Sequence, residues 1–231
     1  MAEAKSKILV WDAPVRVFHW LLVLCFAGAY ITADSERWRL VHVSLGYTMG
    51  GLVAFRILWG LTGTRYARFS SFIRGPTAVM RYVKSMLNGK PERHVGHNPA
   101  GAVAIVLLIL LSAALVMTGW SIYNDIGGEW LEELHEGAGN FMLAVVGVHI
   151  GGVMVASWLH RENLARSMVT GMKQGLPSES IRRSWRSLAL VILIASFGFW
   201  WFQWQSAPSQ AASGSATSEN AKYGTREHND D

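Results

Sequence analysis

Apolar positions in this chain gather into five long runs rather than into amphipathic stripes or alternating strands. They extend from about Val15 to Ala33, His42 to Leu61, Gly101 to Trp120, Leu134 to Leu159 and Leu188 to Trp204, the last being the shortest. Runs approaching ~20 residues match the thickness of a bilayer core, where a helix satisfies its own backbone groups. The pattern predicts a multi-pass, all-α membrane protein. The first run is too long for the apolar core of a signal peptide and is followed by others, so it is expected to be retained. Beyond Gln205 the chain turns Ser/Ala-rich and polar; residues 206–231 lack the apolar side chains of a core and are expected to be disordered.

The connecting segments set an orientation. Residues 62–97 carry seven basic side chains against Glu92 alone, and residues 160–187 carry six against Glu162 and Glu179. Residues 121–134 hold Asp125, Glu129, Glu132 and Glu133 and no base. The positive-inside rule then puts the N-terminus in the cytoplasm and the C-terminus outside. Asn98-Pro99 supplies an N-cap and a first-turn proline for the third span. Within Phe69–Gly89, the spacing of Phe72, Val79, Met80, Val83 and Leu87 predicts an amphipathic helix lying on the inner leaflet.

Composition sharpens this. Of 231 residues, 51% are hydrophobic and 16% charged, below the ~25% charged of soluble domains. The net charge of +5 and pI near 9.6 follow from the basic inner loops, with no nucleic-acid motif beside them. The single cysteine, Cys25, excludes an internal disulfide and any multi-cysteine metal site, and no C-x-x-C-H occurs for covalent haem. Cys25 reads as a small packing residue.

Eight histidines carry the remaining chemistry. His94, His97, His160 and His228 fall in loops, at boundaries or in the tail, whereas His19, His42, His135 and His149 lie within or at the edges of spans. One intramembrane histidine alone is as readily a helix–helix hydrogen-bonding residue. Four at matched depths ask for more. His42 and His135 open the second and fourth spans at the outer surface. His149 follows His135 by fourteen residues, nearly four turns, so it projects from the same face ~21 Å deeper, level with His19. Two pairs result, His42 with His135 and His19 with His149. A pair of imidazoles on facing helices is what a six-coordinate haem iron requires, and ligation makes a neutral imidazole tolerable in lipid. Zinc gathers its ligands at one point, which sites ~21 Å apart cannot do. A proton relay survives the spacing but leaves the matched depths unexplained. Gly46, Gly50, Gly139, Gly147, Gly151 and Gly152 lie near the histidines, where small side chains leave room for a flat macrocycle or for close helix packing.

Phe18-His19-Trp20, Val41-His42-Val43, Leu134-His135-Glu136 and Val148-His149-Ile150 resemble the bacterial cytochrome b561 superfamily. The similarity is strongest to prokaryotic cytochrome b subunits that include the b-type subunit of nickel–iron hydrogenases. It covers roughly residues 11–175, taking in Arg56-Ile57-Leu58-Trp59-Gly60, Gly96-His97-Asn98-Pro99 and His160-Arg161-Glu162-Asn163-Leu164. The resemblance implies a four-helix transmembrane bundle over residues 1–175 holding two non-covalent b haems on these four histidines. A linker and fifth helix over 176–205 and the tail lie outside that core.

The resemblance further implies quinone or quinol as the membrane partner in electron transfer across the bacterial inner membrane. The acidic 121–134 loop and the sparse tail suggest a periplasmic partner, a cytochrome c ahead of a hydrogenase subunit because nothing in the sequence specifies hydrogenase. The chain would then be the electron-transfer subunit of a quinone-linked oxidoreductase. Arg16, one turn before His19, is placed to pair with a haem propionate at the inner side, and Arg37 or Arg39 at the outer; each is also compatible with a snorkelling arginine. His160 and Asn163 are quinone-site candidates. Two other classes fit the residues: a stand-alone quinone-linked oxidase of a small species such as superoxide, and a haem-free transporter or assembly protein.

Overall fold

The computed structural model describes residues 6–89 and 92–206. Among them, five helices are long and apolar enough to cross a membrane. They are α1 (Ala13–Ile31), α2 (Arg39–Thr62, preceded by a 3-10 turn at Glu36–Trp38), α5 (Pro99–Tyr123), α6 (Glu129–His160) and α8 (Arg186–Ser206). The protein is a mostly helical, multi-pass membrane protein. Each span expected from the sequence is present, one to five residues longer at most of its ends, because polar capping residues continue a helix past its apolar run. The shortest is α1, with 19 residues against 21 for α8, and not the fifth span as the apolar runs suggested. The expected tail lies outside the described residues, except for Ser206 at the end of α8.

Helix starts follow local chemistry. Asp12 caps α1, its Oδ1 accepting from the Val15 amide at 2.9 Å, with Pro14 in the first turn. Asn98 caps α5, accepting from the Gly101 amide at 2.7 Å, with Pro99 at the first position. Such caps contribute about 1 kcal/mol each. At its far end α6 stops where Arg161 turns left-handed, φ 52°.

The spans pack in series, α1 on α2, α2 on α5 and α5 on α6. Between α1 and α2 a Cβ at Gly28 would stand 2.7 Å from the Leu45 side chain, so glycine sets that approach. Side chains link α1 to α6, where the Tyr30 hydroxyl donates to Asn140 Oδ1 at 2.8 Å. Large apolar side chains remain exposed along every span, as lipid-facing surfaces require.

The loops are more structured than their composition suggests. The segment expected as one amphipathic helix is broken into α3 (Phe69–Phe72) and α4 (Pro76–Leu87), because Pro76 restricts Gly75 to extended backbone and starts a new helix. In α4, Met80 and Leu87 are exposed while Tyr82 is fully buried. Strand β1 (Ser6–Leu9) pairs antiparallel with β2 (Met172–Gly175), from Ser6 opposite Gly175 to Leu9 opposite Met172. Before β2, α7 (Leu164–Thr170) ends at Gly171, φ 82°, whose carbonyl accepts from Val10 and Trp11 at 2.9 and 3.1 Å. A Cβ there would lie 2.7 Å from the Trp11 carbonyl oxygen, so only glycine fits. Ile8, Val10, Trp11, Tyr66 and Ile181 form a small apolar core beneath this ribbon.

The chain divides into two compact units, residues 1–196 and 197–231. Helix α8 crosses the boundary, and in the second unit Phe197 and Trp200 meet edge-on at 5.2 Å.

Candidate functional site

The first histidine pair joins the starts of α2 and α6. The His42 and His135 rings lie 6.2 Å apart, centre to centre, with their planes inclined by 67°. In each ring Nδ1 is engaged. His42 Nδ1 is 2.8 Å from the Ala29 carbonyl on α1, an acceptor, so Nδ1 carries the proton and Nε2 keeps a free lone pair. His135 Nδ1 is 2.8 Å from Thr118 Oγ1 on α5. Gly119, the next residue, lies against the same ring; a Cβ there would stand 3.0 Å from His135 Cε1. Four helices thus build one site, and two of the contributors, Thr118 and Gly119, were invisible to sequence reasoning. No motif marks them, since their role depends on which face of α5 meets α6.

The second pair belongs to the opposite ends of α1 and α6. His19 sits two turns into α1, half-buried, with the Trp20 ring edge-on at 5.0 Å. Its Nδ1 is buried and has no hydrogen-bond partner among the described residues. His149 lies within electrostatic range of His19, and both lie within range of His97. Arg16 stands one turn before His19. Its Nη1 donates to the Val169 carbonyl at 2.6 Å, while its buried Nε has no partner.

Fixed charge surrounds this inner group. Asp12, buried, receives hydrogen bonds from Trp59 Nε1 at 3.1 Å and Thr64 Oγ1 at 2.6 Å besides capping α1. It is the counter-charge to Arg56, 2% exposed, which donates to the Ala67 carbonyl at 3.1 Å and lies over the Phe69 ring. Lys173 is buried beside Glu162 at 3.9 Å. His97, left among the boundary histidines by its sequence position, is enclosed between Trp11 and Phe72 at 4.4 and 4.6 Å, with Nδ1 unpartnered. Burial first, then Arg56 and Lys173, push its pKa down to about 3, so it is a neutral imidazole at physiological pH. It lines a cavity of about 290 Å³ together with Ser71, Arg74, Arg81 and His94. The signal for it was present in Gly96-His97-Asn98-Pro99, but burial cannot be read from a loop sequence.

The remaining candidates lie apart. Arg37 and Arg39 are exposed, Arg37 over the Trp38 ring at 5.6 Å. His160 is half-buried as the last residue of α6. Asn163 spends its side chain on α7, accepting from the Arg166 amide at 2.8 Å. Cys25 is completely buried, in keeping with a packing role.

The His42–His135 pair can be tested against a haem iron. Two axial imidazoles, each with a metal–nitrogen bond of about 2 Å and about 1.1 Å from nitrogen to ring centre, place their centres roughly 6.2 Å apart. The observed separation is 6.2 Å. A Cβ at Gly46, Gly147, Gly151 or Gly152 would meet no atom within 4 Å, and the last three are exposed on α6. Gly50 and Gly139 instead face α5, at 3.0 Å from Val116 and 3.9 Å from Leu115, and serve helix packing. The orphaned Arg16 Nε is a free donor of the kind a propionate takes up. Among the described residues no three His, Cys, Asp or Glu side chains converge into a cluster of the zinc type. The residues present fit haem.

Comparison with known proteins gives the same direction. The profile described as prokaryotic cytochrome b561 matches residues 10–171. An Escherichia coli K12 protein named "Probable Ni/Fe-hydrogenase 1 B-type cytochrome subunit" is 29% identical over 142 residues, covering 50% of this chain and 60% of that protein. A B-type cytochrome subunit of the same kind from Rhodobacter capsulatus is 27% identical over 154 residues, covering 54% and 58%. One from Cupriavidus necator is 24% identical over 221 residues, covering 75% and 90%. The chain therefore spans about 60% of the length of the first of these relatives. No solved structure matches it.

Proposed function

The chain belongs to the prokaryotic cytochrome b561 family, a family of membrane b-type cytochromes, and from that premise we propose that it carries electrons across the bacterial inner membrane on two b haems. The single observation behind this reading is the His42–His135 pair, set at the separation that two ligands of one iron require. Each bound haem supplies a one-electron Fe(II)/Fe(III) couple.

The chain's own residues do the rest. His42 and His135 hold the outer haem, and His19 and His149 the inner one. The engaged Nδ1 atoms of the outer pair orient the two rings with Nε2 toward the iron. Arg16 Nε pairs with an inner propionate. Residues 1–175 form the four-helix haem-binding core, and 176–205 a linker with the fifth helix. The basic segments lie in the cytoplasm, so the Asp125–Glu133 loop faces the periplasm above the outer pair.

Electrons pass between membrane quinone or quinol and a periplasmic partner. The printed names of the relatives favour a hydrogenase subunit for that partner, whereas the acidic outer loop is equally suited to a basic cytochrome c. A reduced-minus-oxidised visible spectrum with pyridine haemochrome quantitation tests the reading. About two b haems per chain are expected; none after expression with ample haem supply would refute it.

A further inference from the structure

The two imidazoles of the outer pair are anchored differently. His42 leans on a backbone carbonyl, which every residue at position 29 would offer. His135 leans on a side chain, Thr118, with the Leu115 backbone carbonyl as a second acceptor nearby. The Thr118 hydroxyl has one proton, and two carbonyls of its own helix compete for it, Ala114 at 2.9 Å and Leu115 at 3.2 Å. This back-bonding is the usual arrangement of threonine in an apolar helix. With its proton committed there, Oγ1 turns a lone pair toward His135 Nδ1 at 2.8 Å and acts as acceptor. The chain of donors then runs from His135 Nδ1–H to Thr118 and from Thr118 to Ala114. It leaves Nε2 unprotonated. Gly119 completes the seat, because any side chain there would press on the imidazole. At the other site the buried His19 Nδ1 has no partner at all among the described residues.

We propose that Thr118 is a positioning residue for the outer haem: by accepting the Nδ1 proton of His135 it fixes that ligand's tautomer and ring plane and lowers the reduction potential of the iron it serves. The inference rests on the di-haem reading above. Its physical basis is general. A hydrogen bond drawn from the distal nitrogen shifts the ring toward imidazolate and raises its basicity as a ligand. A more basic axial ligand favours the ferric state, and potentials follow ligand hydrogen bonding. Removing the acceptor reverses this. It also leaves the Nδ1–H with the Leu115 carbonyl alone, so the ring is less firmly held.

The experiment is a potentiometric titration of the purified holoprotein, monitored optically and by low-temperature EPR, for wild type, Thr118→Val and Thr118→Ser. The outer wave is assigned as the one lost in His135→Ala. With two haems retained, Thr118→Val is expected to move the outer wave to higher potential and change its low-spin EPR signal, leaving the inner wave in place. The expected size is up to about a tenfold change in the outer haem's redox equilibrium, about 59 mV for one electron. Thr118→Ser, which keeps the hydroxyl, restores both. Loss of the outer haem in Thr118→Val that Thr118→Ser restores supports the proposal equally. An unchanged outer wave and signal in Thr118→Val, or a change that Thr118→Ser fails to restore, overturns it. Absence of haem from the wild type is a different result and refutes the di-haem reading instead.

Discussion

His42 and His135, 93 positions apart in sequence, face one another at 6.2 Å with their ring planes inclined by 67°. Each ring is held through Nδ1 at 2.8 Å, one by a carbonyl and one by a hydroxyl.

Loss of one ligand is expected to remove one haem. His135→Ala should abolish the outer haem and His149→Ala the inner, each leaving about one haem per chain. His94→Ala, whose Nδ1 contacts only the Glu92 carbonyl at 3.2 Å, should retain both. Pyridine haemochrome content per chain decides this; equal loss from His94→Ala would remove the ligand assignment.

Gly119 gives a steric test of the outer seat. A methyl group would approach His135 Cε1 to 3.0 Å, so Gly119→Ala should displace the ring by a few tenths of an ångström, and Gly119→Val should empty the outer site. Absorbance of the reduced protein should fall by about half in Gly119→Val, with the spans still folded by circular dichroism. Full haem content there would mean the ring is not seated where it is described.

Asp12 should be the most sensitive charged position for stability. It caps α1, accepts from Trp59 and Thr64, and balances the buried Arg56. Asp12→Ala removes the cap, worth about 1 kcal/mol, leaves Trp59 Nε1 and Thr64 Oγ1 without their acceptor, and takes away the negative charge that acts on the buried Arg56. Asp12→Asn keeps the cap and should lose less. Thermal unfolding in detergent compares the two, and equal melting temperatures for all three proteins would refute the assignment.

Acid should destabilise the inner end through His97. Its pKa is about 3 when folded, against 6.5 when exposed, so the unfolded chain binds the proton first. The stability held above pH 6.5 is therefore lost as pH falls toward 3, at about 1.4 kcal/mol per pH unit for this one group. His97→Phe should flatten that part of the stability profile. An identical pH dependence in His97→Phe and wild type would show that other groups carry the acid transition.

Orientation can be read with reporters. Alkaline phosphatase fused after Asp231 should be active, and the same enzyme fused within residues 160–187 should be inactive. The reverse pattern would invert the proposed topology and the assignment of inner and outer sites with it.

The sequence alone determined the five spans and the place of each span's histidines along its helix. Both depend on one-dimensional properties: apolar runs measured against a bilayer, and helical rise between positions such as 135 and 149. His19, Trp20 and Arg16 were legible for the same reason, being neighbours along one helix. Tertiary structure decided what those properties do not encode. The ribbon of β1 and β2 joins segments more than 160 residues apart and is too short to carry a periodic signal. His97 became enclosed only when Trp11 and Phe72 packed against it from distant parts of the chain. Thr118 and Gly119 acquired their roles only when α5 docked against α6 with that face inward. A threonine or glycine in an apolar run looks the same whether it faces lipid or an imidazole, and only packing distinguishes the two.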